Sequence, residues 1–305
     1  MSNIQTLTGT LRTSDAQALA WRGWVPKDPR GGLLFVHGLA EHSGRYQRTA
    51  EHFAGLGFAC YGLDLRGHGA SQGRRVHVAA FDDYLKDVDA ALALVGARHP
   101  GLPCFLVGHS MGGLITIRFV LAKPEAVAGA VVSSPLLAPH PSAVPSAATR
   151  LAAGLLSKVA PGLLIPSGLD SSALSHDRAV VEAYVADPLV SSKVSARWFT
   201  ATMAAAAEAR AQAPALRTPM LLMQSGGDRL VDPEATRRWA EAAPPQFLRF
   251  IWWEGFYHEM FNEPGRERIF DRVAAWLIER MEIAPSPKPD RSRSSNSELR
   301  QDGAR

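Results

Sequence analysis

The tightest constraint on this chain is five residues long. Gly108-His-Ser-Met-Gly112 stands between an apolar run, Cys104-Phe-Leu-Val107, and residues 112–122, which carry a helical pattern. A strand that reverses into a helix within so few residues forces strained backbone on the central serine. Flanking glycines let neighbouring chain pass close by, and the serine is pushed into the open above a sheet edge. Strand-length apolar runs recur at Gly32–Val36, Phe58–Leu63, Gly129–Ser133, Met220–Gln224 and Phe247–Trp253, while residues 9–25 read as two short strands joined by a Thr13-Ser14-Asp15 turn. Runs apolar at nearly every position fit strands buried on both faces.

Helical patterns fall between these runs. Phe81 to Val95 has apolar residues three or four apart, and Arg268 to Met281 repeats the pattern. In Pro233–Ala242, Asp232 sits where an N-cap belongs and proline takes the first helical position. The alternation predicts an α/β fold, a mostly parallel central sheet flanked by helices. From about Leu136 to Ala213 it breaks down, with helical patterns and no convincing strand. The expected division is therefore a core formed by residues 1–135 and 214–283, with a helical cap, 136–213, inserted between core strands. The Pro-, Ser- and charge-rich tail, 284–305, has little to bury and is expected to be disordered.

Composition narrows the function. A chain of 305 residues, 46% hydrophobic, can bury a large core. Its formal charge of +4 is not gathered into a basic stripe, which argues against nucleic acid. The two cysteines, Cys60 and Cys104, lie in apolar runs and read as inert core thiols. Neither a signal-peptide pattern nor an apolar run of roughly 18–20 residues is present, so the expected compartment is the cytoplasm. No close pair of histidines suits a metal, and no cofactor is expected.

A serine hydroxyl is a poor nucleophile at neutral pH and needs a base. In this kind of site the acid follows the nucleophile and the histidine comes last. After His176, His258 is the one histidine left, just beyond the last apolar run. Asp228 and Asp232 compete for the acid. Asp232 already has a capping role, whereas Asp228 follows Met220–Gln224 after a Gly-rich turn, so Ser110, Asp228 and His258 are the expected triad. An anion forming at the substrate carbonyl would need donors, expected at the backbone N–H of Met111 and of Leu39. Asp64 and His68, in a glycine-rich loop, are expected to be structural.

At this point the sequence resembles the monoacylglycerol lipase family of α/β-hydrolases. The matching stretches are His37-Gly-Leu-Ala-Glu-His-Ser-Gly-Arg-Tyr46, Leu63-Asp-Leu-Arg-Gly-His-Gly69, Gly108-His-Ser-Met-Gly-Gly113 and Ala186-Asp-Pro-Leu-Val190. The resemblance, covering about residues 8–281, implies the α/β-hydrolase fold and cleavage of a monoacylglycerol to fatty acid and glycerol. It implies polar groups near the glycerol end at Glu41 and Arg45, with His109 and the cap residue Tyr184 also at the substrate; a local ion pair holding the loop is the other reading of Glu41 and Arg45, and cap packing that of Tyr184. Phe261 departs from members with a second histidine there, which bears on leaving-group contacts. Lysophospholipids, short- or medium-chain esters, or an inert binding role are the alternatives. Leu151, Leu155, Leu156, Val159, Leu163, Leu164 and Ile165 are expected to cover an acyl channel or to pack the cap onto the core, and a transient contact of this surface with lipid is a further expectation.

Overall fold

The structure, a computed structural model, describes residues 4–283; the tail expected to be disordered lies outside the described residues. It opens with an antiparallel hairpin, β1 (Ile4–Arg12) and β2 (Ala18–Pro26). The Thr13 Oγ1 accepts from Gln17 N at 2.9 Å and fixes the turn. Pairing begins at Ile4, earlier than residue 9, because exposed Gln5, Thr6 and Thr8 give that end no buried-strand pattern.

There follow β3 (Gly31–Val36), α1 (Gln47–Gly55), β4 (Phe58–Leu63), α2 (Asp83–Arg98), β5 (Cys104–His109), α3 (Met111–Ala122) and β6 (Gly129–Ser133). The chain then leaves the sheet for α4 (Ala147–Val159), β7 (Leu164–Pro166), α5 (Arg178–Ala186), β8 (Lys193–Ser195) and α6 (Ala196–Ala211). It returns with β9 (Met220–Ser225), α7 (Pro233–Ala242), β10 (Leu248–Trp253) and α8 (Glu267–Ile283). The main sheet has eight strands in the order β1-β2-β4-β3-β5-β6-β9-β10, parallel from β4 to β10 with β2 antiparallel to both neighbours.

Alternation explains the near-continuous apolar runs. Leu33 and Phe35 of β3 face a layer containing Phe53 of α1 and Trp276 of α8. Leu34 and Val36 face the other layer, with Val88 of α2 and Leu114 of α3. Each such side chain, fully buried, stabilises by about 1.5–3 kcal/mol, and truncating Phe35 to alanine would cost about 3–5 kcal/mol. Asp232 caps α7 as expected, accepting from Glu234 N at 3.0 Å.

The segment between β6 and β9 corrects two expectations. It does contain strand, since β7 and β8 pair antiparallel with Leu164 opposite Ser195. Three residues are too few to show a period, and neither strand signals the other from a distance in sequence. Leu151, Leu155 and Val159, at 78%, 61% and 70% exposure, face outward from α4 instead of covering a channel. Spaced four apart, they lie on one side of the helix. The inward side carries Ala153 and Ser157, and Ser157 Oγ bonds Thr200 Oγ1 of α6 at 2.8 Å.

Candidate active site

Ser110 sits in the turn between β5 and α3 at φ 55° and ψ −117°, a backbone conformation that non-glycine residues avoid. Such strain costs on the order of 1–3 kcal/mol and persists only where the surroundings over-determine it. Here they do. Ser110 N donates to Ser133 O at 3.0 Å, and Ser110 O accepts from Leu114 N at 3.0 Å and Leu136 N at 2.9 Å. The two motif glycines have no room for a side chain: a Cβ on Gly112 would collide with Val36 O, and one on Gly108 with Thr116 Oγ1.

Asp228 and His258 come from the turns after β9 and β10. His258 Nδ1 lies 2.7 Å from Asp228 Oδ2, with both residues buried. The other oxygen, Asp228 Oδ1, accepts from Leu230 N at 2.9 Å and Val231 N at 3.0 Å. Burial works to raise the Asp228 pKa, but the facing imidazole and these donors hold it below the usual carboxylate range. Burial likewise works to lower that of His258, yet Asp228, with smaller contributions from Glu259 and Glu41, raises it above the ordinary imidazole value. Ser110 and His258 line one cavity. Among the described residues no hydrogen bond links them.

The loop after β3 is built around His37. Its Nε2 accepts from Leu65 N at 3.0 Å and its Nδ1 bonds Gly38 O at 2.8 Å. Gly38 passes so close to Ser110 that a Cβ on it would lie 3.3 Å from the serine Cβ. Among the described residues, neither Leu39 N–H nor Met111 N–H has a protein acceptor. At Met111 this is the ordinary condition of a helix N-terminus; at Leu39 the loop imposes it, with Ala40 held at φ 62°. Asp64 ties the loop down, accepting from Ser43 N at 2.8 Å and Ala70 N at 2.9 Å. His68 is buried nearby, its Nδ1 3.0 Å from Arg66 O. Two hydrogen bonds reach the inserted segment: His42 Nε2 meets Asp187 Oδ2 at 2.8 Å, and Ser191 N donates to Ala40 O at 3.0 Å.

Glu41 and Arg45 do pair, Nη1 to Oε2 at 2.5 Å, but a third residue joins them. Glu259, next to His258, takes Arg45 Nη1 at 2.6 Å and Nη2 at 2.8 Å. Glu41 also accepts from Gly38 N at 2.6 Å and Tyr46 OH at 2.9 Å, and Glu259 from Asn262 Nδ2 at 2.9 Å. Burial would raise both carboxyls, but Arg45 holds Glu41 below its usual range and Glu259 at about 2, so both are ionised near neutral pH. The Tyr184 ring lies against Arg45, with its centroid 4.8 Å from Cζ. His109 packs on His258 at 4.7 Å between ring centroids, and burial with that neighbour lowers it to about 4. Phe261 lines a separate small recess behind this cluster, with Arg45 and Asn262, and is not among the residues that line the space beside Ser110.

Ser110 therefore stands where two unlike spaces meet. On one side is a cavity of about 540 Å³ lined by Leu136, Ala153, Ile165, Trp198, Phe199 and Met203 among others. Of the seven insertion residues expected over an acyl channel, Ile165 alone is among its lining. On the other side is a recess of about 20 Å³ containing Glu41, His109, Tyr184 and Glu259. Among the described residues no group of three or more His, Cys, Asp or Glu is placed to hold a metal ion, and no helix is long and apolar enough to cross a membrane.

The strand order, the serine turn after β5 and the Asp–His pair after β9 and β10 define a serine hydrolase of the α/β-hydrolase fold. The family described as serine aminopeptidase, S33, matches residues 27–265, and the chain belongs to it. A monoacylglycerol lipase of Mycolicibacterium smegmatis is 35% identical over 84% of this chain and 91% of its own length. A Bacillus subtilis protein named phospholipase YtpA is 34% identical over 83% and 97%. The crystal structure of a Paleococcus ferrophilus monoacylglycerol lipase superposes with a TM-score of 0.77 at 31% identity, covering 90% of this chain and 99% of that one.

Proposed function

We propose that the enzyme hydrolyses monoacylglycerols to fatty acid and glycerol through an acyl-enzyme on Ser110. The observation that carries this is the placing of Ser110 between an apolar cavity large enough for an acyl chain and a recess with ionised carboxylates. His258 takes the Ser110 proton as Oγ attacks the ester carbonyl, and Asp228 holds the imidazole in the right tautomer. The oxyanion rests on the N–H groups of Leu39 and Met111. Protonated His258 gives its proton to the departing glycerol, and water then repeats the cycle on the acyl-enzyme. Each methylene buried in the cavity contributes about 0.8 kcal/mol to binding.

Residues 136–213 act as the cap that completes the acyl cavity. Leu151, Leu155 and Val159 give its outer side an apolar stripe, which supports a transient contact of the cap with a lipid surface. The test is fatty acid release from monoacylglycerols of graded length, beside di- and triacylglycerols and lysophospholipids, with Ser110→Ala as blank. Preference for lysophospholipid would replace the substrate reading with lysophospholipase action; the Bacillus subtilis relative is named a phospholipase. Failure of the folded protein to react with a fluorophosphonate would end the catalytic reading altogether.

A further inference from the structure

Glu259 is a charged residue at this site that sequence patterning gave no reason to single out. Both hydrogens of Arg45 Nη1 and one of Nη2 are committed to carboxylates, two to Glu259 and one to Glu41. The guanidinium face is covered by Tyr184. Two buried carboxylates against one cation leave the recess with a net negative charge, and His109 beside it adds none because it stays neutral. A carboxylate has about four lone-pair sites, of which each glutamate uses three: Glu41 for Gly38, Tyr46 and Arg45, and Glu259 for two Arg45 bonds and Asn262. One accepting site on each is left without a protein donor.

We propose that Glu259 determines leaving-group specificity. By clamping Arg45 against Glu41, it turns the recess beside Ser110 into a hydrogen-bond-accepting, net-anionic subsite that admits uncharged polyols and turns away alcohols bearing phosphate. The inference rests on the ester-hydrolase reading above and assigns the recess, which has room for about one water-sized group, to a hydroxyl of the alcohol half of the substrate. Without Glu259, the two Arg45 hydrogens it takes would lose their acceptors behind the recess, and a guanidinium with free fork geometry binds phosphate well.

The experiment compares kcat/KM for octanoyl glycerol and octanoyl glycerol phosphate, both below their aggregation concentrations, in wild type and Glu259→Gln. The ratio of the two values on one protein cancels losses common to both substrates. Wild type is expected to favour the uncharged ester at least about 100-fold, and Glu259→Gln to narrow that preference at least about tenfold. A preference unchanged within about threefold in folded Glu259→Gln overturns the proposal, as does wild type cleaving the phosphate ester equally well. If Glu259→Gln does not fold, product inhibition of wild type decides the matter. Glycerol must then inhibit octanoyl glycerol hydrolysis more strongly than glycerol phosphate, and the reverse order overturns the proposal. Absence of octanoyl glycerol hydrolysis by wild type that reacts with a fluorophosphonate would instead defeat the underlying reading.

Discussion

The two spaces that meet at Ser110 are made by different parts of the chain and by different forces. The apolar cavity takes much of its wall from the inserted segment, through Ala153, Ile165, Trp198 and Met203, which offer shape and no fixed directions. The polar recess is built mainly by core loops, with Glu41, Arg45 and Glu259 locked by hydrogen bonds of 2.5–2.9 Å. On the proposed reading, acyl-chain choice can vary with small changes in helices, whereas alcohol choice rests on a charge arrangement that any single substitution unbalances. The serine belongs to both, held by the sheet.

The most severe way to test that division is to remove what both sides share. Ser110→Ala should lower kcat by at least about 10⁴-fold on every ester tried, with chain-length and head-group preferences no longer measurable. Steady-state turnover alongside circular dichroism would check it; residual activity within tenfold of wild type would defeat the nucleophile assignment.

Breaking the polar side alone should cost stability. Arg45→Met strands Glu41 and Glu259 without their cation, and unfolding in urea should show a loss of about 3–5 kcal/mol at neutral pH. In wild type both carboxyls titrate below their unfolded values, so their contribution is present above the unfolded pKa and fades as pH falls through the folded one, about 2 for Glu259. In the variant the crowded carboxylates would titrate high, so its deficit should shrink as pH falls toward 4.

Filling the apolar side should change chain-length preference and spare the head-group preference. Ala153→Phe, pointing into the cavity from α4, should displace two or three methylenes. At about 0.8 kcal/mol each, kcat/KM for the longest monoacylglycerols should drop roughly 15- to 60-fold relative to the shortest. A uniform loss at all lengths would argue that the acyl chain lies elsewhere.

The smallest expected effect joins the two sides through His258. Below its pKa the imidazole already holds a proton and cannot accept one from Ser110. Because Asp228, Glu259 and Glu41 raise that pKa despite burial and the neighbouring His109, kcat/KM should climb with pH to a midpoint above the ordinary imidazole value of about 6.5. Glu259→Gln should move this limb to lower pH, and a pH–rate profile shifted upward instead would contradict the assignment.

These expectations rest on features of unequal legibility. The serine turn, the buried strands and the choice of Asp228 over Asp232 follow from short stretches whose local rules hold in the fold: glycine where chains touch, proline after a capping aspartate, apolar runs where both faces are covered. Glu259 was invisible for the opposite reason. Nothing around it in sequence marks it as more than the residue after His258, and its meaning comes from Arg45, more than two hundred residues earlier. The β7–β8 pair is similar, three residues per strand whose pairing is settled by distant chain. The outward stripe on α4 failed differently: leucines four apart identify an apolar face without saying whether protein or lipid covers it.

The bridge from His42 to Asp187, with the Ser191–Ala40 bond beside it, bears on how this enzyme could be rebuilt. The turn that presents Leu39 N–H is anchored on one side by the sheet and on the other by the segment preceding β8. The insertion is consequently no detachable module. A chimera that imported residues 136–213 from another hydrolase, lacking an acidic side chain at position 187, would exchange much of the wall of its apolar cavity and loosen the turn that presents Leu39 N–H in the same step.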